Sequence, residues 1–168
     1  MKIRSVTATP VNIPLRAPYR FSYGSTASLT KTVIEVLTDD GVVGLGECAD
    51  GDRASEVMAA GAKLIGLDLR AISQAEGLLV PGMAYTPWGN VAAARRVFGG
   101  IEMAMWDARG KTEGVPVTLL LGGAVRDEVA LTEYFSYRLS GTDPGEATPL
   151  EIARYCAAMI DAHGSTVF

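Results

Sequence analysis

Apolar and polar positions alternate along Lys2 to Ile13, where Ile3, Val6 and Val11 stand among threonines, and this period of two predicts a half-buried strand. Pro10 has no amide proton to give, so it must face an edge or a bulge. Thr30 to Thr38 and Val42 to Ala49 are also β-favouring runs, and Asp39-Asp40-Gly41 between them is a hairpin signal because the turn needs positive φ. The prediction is a three-stranded antiparallel sheet. Between the first two strands, Pro14 to Ser25 carries two prolines, three aromatics and two arginines, and reads as a long, irregular loop rich in recognition side chains.

A period near 3.6 then takes over. Asp52 can cap a helix over about Ala54 to Ile65, with Val57, Ala60, Leu64 and Ile65 facing inward. Ala71 to Val80 is a second helix, Pro81 to Asn90 a loop, and a long helix starts near Val91. Ile101, Ala104, Met105 and Ala108 form one apolar face of it, with Glu102, Arg109 and Lys111 on the other. Gly99-Gly100 costs about 1 kcal/mol per glycine relative to alanine, which predicts a kink or a division there. Gly114 and Pro116 stop the helix, and Leu119 to Leu121 adds a helical turn closed by Gly122-Gly123. Trp106 and Asp107 read as core and cap contacts.

Val129 to Tyr137 reads as a buried strand. Thr148-Pro149-Leu150-Glu151 is a capping box with proline at the first helical position. The helix it opens carries Ile152, Tyr155, Cys156, Met159 and Ile160 on one stripe and ends at Gly164. Ser165 to Phe168 looks like the start of another strand. Strand, helix, strand at this spacing is a βαβ unit and implies a parallel sheet. The joint between the two parts is placed at Gly123, giving domains 1–123 and 124–168.

The 168 residues are 48% hydrophobic and 20% charged, an ordinary globular composition, and the net charge of −4 leaves no basic stripe for nucleic acid. No run approaches a membrane span, and Met1 to Ser5 lacks a signal-peptide apolar region. Cys48 and Cys156 read as reduced thiols. The expected localisation is cytoplasmic, with no nucleic-acid or membrane partner.

The Ile101-Glu102-Met103-Ala104-Met105-Trp106-Asp107-Ala108-Arg109-Gly110-Lys111 helix followed by Leu119-Leu120-Leu121-Gly122-Gly123 resembles the enolase superfamily, in its mandelate racemase/muconate lactonizing branch. The strand Glu133 to Leu139 with the Thr148 to Tyr155 helix start is most similar to glucarate dehydratases and other acid-sugar dehydratases. The resemblance implies an α+β capping domain followed by the first βα unit of a (β/α)8 barrel, with the barrel incomplete. It further implies a Mg²⁺ ion held by three carboxylates on later barrel strands. A base would remove the proton α to a substrate carboxylate and the metal would stabilise the enediolate. A Lys-x-Lys motif at the end of the second strand would supply one base. By that reading no catalytic and no metal residue lies in this chain, and the 168 residues alone are inactive and bind no Mg²⁺. A barrel needs about 250 residues, far more than follow Gly123, which independently points to the N-terminal portion of a longer enzyme.

The resemblance also assigns substrate selection to two capping-domain loops, here Leu15 to Ser25 and Glu47 to Asp52. Arg16 and Arg20 are candidates to pair with a substrate carboxylate, and Tyr19, Phe21 and Tyr23 to wall the site. The plain alternative is a solvated loop with aromatics tucked onto the sheet. Glu47, Asp50 and Asp52 fit a turn with a helix cap better than a cation site. Tyr134 and Ser136 fall on one face at the end of the first barrel strand, and Tyr134 is a candidate substrate contact; the alternative is that it only fills the barrel. His163 suits a helix C-terminus rather than catalysis. The substrate is expected to be a small acid-sugar carboxylate and the protein a homo-oligomer. A racemase, epimerase or cycloisomerase of the same branch is an alternative outcome, and a free-standing binding module derived from the capping domain is an alternative class.

Overall fold

Sheet order follows from the alternating runs: β1 (Ile3–Phe21), β2 (Gly24–Thr38) and β3 (Val43–Cys48) lie in the order β1-β2-β3. The structure is a computed structural model that describes residues 1–49, 51–80, 82, 90–132 and 148–165, without the side chains at 16, 17, 90 and 91. β2 and β3 are antiparallel, with Thr32 opposite Cys48 and Leu37 opposite Val43. The turn between them has Gly41 at φ 86°, the left-handed backbone that the Asp39-Asp40-Gly41 signal anticipates. Thr32, Ile34, Val36 and Thr38 of β2 and Gly44, Gly46 and Cys48 of β3 turn inward, each strand alternating strictly.

One expectation fails at the first connection. Leu15 to Ser25 is no irregular loop: β1 continues to Phe21, Ser22-Tyr23 is a two-residue turn, and β2 starts at Gly24. Prolines at 10, 14 and 18 are four apart, so their missing donors all turn to one side of β1. A strand at the margin of a sheet tolerates this.

Helices α1 (Ala54–Ala62), α2 (Ile72–Leu79) and α3 (Asn90–Glu113) follow, then the short α4 (Val117–Leu120) and, later, α5 (Pro149–His163). The core joins Ile3, Ile34, Val36 and Cys48 of the sheet to Val57, Leu64, Leu69, Ala75 and the Val97, Ile101, Ala104, Met105, Ala108 face of α3. That α3 face matches the sequence period, and the helix is continuous, so Gly99-Gly100 does not divide it. Gly114 at φ 68° ends it, and Gly122 and Gly123, both at positive φ, close α4.

Smaller departures have local causes. α1 ends at Ala62 and turns, which leaves Ile65 51% exposed while Val57 and Leu64 are buried. Its N-cap is Arg53; Asp52 Oδ1 instead accepts the Ala54 amide at 2.9 Å from one residue further out. Trp106 is half-buried rather than core. Val129 to Thr132, the described part of the expected buried strand, is exposed and unpaired, with Leu131 84% exposed; the remainder of that strand and Thr166 to Phe168 lie outside the described residues.

The α5 terminus agrees in detail. Thr148 and Glu151 form the reciprocal capping box with Pro149 in the first turn, and Gly164 at φ 66° follows His163. No residue of α5 is fully buried, so its apolar stripe is only partly covered. Two compact units result, Met1–Asn12 with Thr30–Ala124, and Ile13–Leu29 with Val125–Phe168. No described helix is long and apolar enough to cross a membrane, and both cysteines are free thiols.

Candidate functional site

Period-two geometry decides what the hairpin tip presents. Tyr19, Phe21 and Tyr23 are two residues apart, so they share a face, and their rings form a ladder with centroids 4.5 Å apart (Tyr19 and Phe21, tilted) and 5.1 Å apart (Phe21 and Tyr23, stacked). Tyr23 at the turn is 85% exposed. Arg20 is exposed and falls on the alternate position of β1, so the aromatic wall and this guanidinium do not share a face. Arg16 lies in β1, but its side chain, like all of Tyr134 and Ser136, is outside the described residues. Of the six candidate substrate contacts, the described structure therefore brings together Tyr19 and Phe21, on the β1–β2 hairpin.

The second expected loop resolves into structural contacts. Glu47 at the end of β3 pairs with Lys31 across the sheet at 2.8 Å. The buried Thr32 hydroxyl donates to the Gly51 carbonyl at 3.0 Å and accepts from the Arg53 amide at 2.8 Å. This fastens the chain between β3 and α1, where the Asp52 carboxylate accepts the Ala54 amide. Asp50 is outside the described residues. Among the described residues no three His, Cys, Asp or Glu side chains gather to hold a metal ion.

Sequence reasoning underread one pair. Asp107 and Lys111, one helical turn apart on α3, form an ion pair at 2.6 Å. Asp107 Oδ2 also accepts the Leu45 amide at 2.7 Å, and Lys111 Nζ donates to the Val43 carbonyl at 2.9 Å. The signal was available: an i, i+4 Asp/Lys pair beside a strand whose Gly44 and Gly46 must face a close neighbour. Burial raises the Asp107 pKa, but the Lys111 ammonium and the Leu45 amide outweigh it and hold the carboxyl below its ordinary value. A depressed carboxylate stabilises the fold above its unfolded pKa and loses that contribution as pH falls through the folded one. The denaturant midpoint of the native chain should thus fall more steeply between about pH 5 and pH 2 than that of Asp107→Asn. Parallel profiles for the two proteins would refute the coupling.

Nearby, Trp106 Nε1 donates to Glu102, and the Arg109 guanidinium lies over the Trp106 ring at 5.3 Å while pairing with Glu113 at 2.8 Å. Glu102 and Trp106, with Asp107 and Lys111, border an open groove of about 550 Å³ that Leu45, Met103, Val117 and Leu121 also line.

Comparison with known proteins gives this geometry a context. A profile of the "Mandelate racemase / muconate lactonizing enzyme, N-terminal domain" matches residues 3–122. The cis-3-hydroxy-L-proline dehydratase of Roseibium aggregatum is 30% identical over 169 aligned positions, 94% of this chain and 42% of that protein. A D-galactonate dehydratase of Xanthomonas euvesicatoria pv. vesicatoria is 36% identical over 132, 76% of this chain and 32% of its own length. An enolase of Pseudomonas fluorescens, crystallised with bound magnesium, potassium and tartrate, superposes with a TM-score of 0.78 at 28% identity, covering 98% of this chain and 44% of that one. The chain thus spans less than half the length of each.

Proposed function

The chain belongs to the mandelate racemase/muconate lactonizing enzyme family of the enolase superfamily, and from that premise we propose that it is the N-terminal capping part of an enzyme that removes the proton α to a substrate carboxylate and dehydrates an acid sugar. The similarity to a D-galactonate dehydratase across three quarters of the chain carries this reading. Galactonate and tartrate, the ligand of the Pseudomonas fluorescens structure, share a carboxylate beside a hydroxylated carbon. Loss of the α proton followed by loss of hydroxide from the next carbon yields an enol that becomes a 2-keto acid.

The hydroxyproline dehydratase favours a second reading, in which the same dehydration acts on a hydroxylated amino acid. In either case the chain's own contribution is binding rather than proton transfer. The Tyr19, Phe21 and Tyr23 ladder offers apolar rings to the carbon face of a small substrate and excludes water from it, and Arg20, on the other face of β1, takes no part in that contact. We assign Tyr134 and Ser136 a role as substrate contacts, and magnesium as the cofactor of the whole protein.

The experiment compares the chain ending at Phe168 with the product of its source gene read past that residue. Each is given Mg²⁺ with a panel of aldonic and aldaric acids and cis-3-hydroxy-L-proline, and formation of a 2-keto acid, or of the cyclic imine that dehydration of the hydroxyproline gives, is followed. The short chain should show no turnover. The longer protein should act on an acid sugar and lose activity with a chelator. Turnover by the short chain, or a longer protein inert on every hydroxy acid, would overturn the proposal.

A further inference from the structure

β3 lies at a margin of the sheet, and its outward groups are met by a helix rather than by another strand. Val42 bonds back toward β2, its amide to the Thr38 hydroxyl and its carbonyl to the Thr38 amide. Strand alternation therefore turns Val43 and Leu45 the other way, and the Val43 carbonyl and Leu45 amide are the groups that Lys111 and Asp107 reach.

Two lengths coincide here. Four helical residues advance about 6 Å. Two strand residues advance about 6.7 Å. Since α3 runs antiparallel to β3, one helical turn presents a donor and an acceptor at the spacing that a neighbouring strand would. The reach is possible because α3 lies unusually close: a Cβ at Gly44 would meet the Ala104 carbonyl and, at 2.7 Å, Ala108, and one at Gly46 would meet Gly100 and Ala104. The opposite margin is closed by backbone instead, where Ile3 donates to Leu67 at 2.9 Å and accepts from Gly66 at 2.8 Å.

We propose that Asp107 and Lys111 act as a surrogate strand that keeps the outer edge of β3 from pairing with the same edge of a second copy of this chain. The occupant follows from the geometry. An antiparallel pair of β3 edges is self-complementary, each Leu45 amide and Val43 carbonyl finding its counterpart. Flanking Val43 and Leu45 are exposed and apolar, which adds side-chain burial to that pairing.

Sedimentation velocity across a concentration series, with hydrogen exchange read over residues 43–48, tests this on the full 168-residue chain. Asp107→Ala with Lys111→Ala should keep its far-ultraviolet circular dichroism and self-associate at concentrations at least about tenfold below those of the native chain, a few hydrogen bonds' worth. Residues 43–48 should stay protected in the associated form. Asp107→Asn with Lys111→Arg keeps an acceptor and a donor and should behave as the native chain does. A folded double-alanine variant with native association overturns the proposal. So does association accompanied by loss of protection across the whole sheet, or equal association by the conservative pair. Should the double-alanine variant not fold, Lys111→Met uncovers the Val43 carbonyl alone and should show an intermediate shift; none would overturn the proposal equally.

Discussion

Gly46→Ala should abolish stable folding of the sheet and its covering helix, although it adds a single methyl group. A Cβ at Gly46 would overlap the Gly100 carbonyl and come within 2.9 Å of the Ala104 amide nitrogen and 3.1 Å of its Cβ. Two of those obstacles are backbone atoms inside α3, so no rotamer change relieves them, and the helix must move off the strand. Displacement would pull Ile101, Ala104 and Met105 from the core together, and would withdraw Asp107 and Lys111 from β3. The expected loss is on the order of 4 kcal/mol or more, a large part of the ~5–15 kcal/mol that holds a domain together. Denaturant unfolding monitored by circular dichroism measures it. Gly46→Ala with Ala104→Gly should not recover stability, since the carbonyl remains. At Gly61, by contrast, the obstacles are side-chain atoms of Val6, its Cβ nearest and its two methyls at 2.8 and 2.9 Å, so Gly61→Ala should be relieved in part by Val6→Gly, which removes all three, and not by Val6→Ala, which keeps the Cβ. Full recovery at Gly46 by the Ala104 change would show that backbone contact does not set the spacing.

Ile101→Ala should cost about 2 to 5 kcal/mol, because the side chain is wholly buried where α3 meets the sheet and its removal leaves a cavity there. Met103→Ala, two residues along the same helix, should change stability by less than about 0.5 kcal/mol, since Met103 is 51% exposed. Equal effects at the two positions in matched denaturant titrations would mean that the apolar face of α3 is not the one packed on β3.

Much of this architecture was legible in local pattern. The Ile101, Ala104, Met105, Ala108 stripe, the Asp39-Asp40-Gly41 turn, the glycine stop at Gly114 and the Thr148–Glu151 capping box each depend on residues within a turn or two of one another. Their outcome is set by helical period, left-handed φ or a reciprocal hydrogen bond, all of which short stretches specify without help. The candidate site was less legible. The aromatic triplet at 19, 21 and 23 was visible as composition, but its ladder exists only because the stretch is strand, and proline density argued for a loop.

What the sequence determined by itself, then, is which segments are strand, helix or stop wherever periodicity and turn chemistry agree. Tertiary structure decided where they conflict. Prolines 10, 14 and 18 are compatible with a strand only because β1 lies at a margin of the sheet. Gly100 weakens an isolated helix, yet α3 runs unbroken because that glycine admits Ile34 and the Glu47 carbonyl to close approach. Asp107 and Lys111 are ordinary helix-surface residues until β3 is laid beside them. In each case the decisive energy lies between residues distant in the chain, and no local rule contains it.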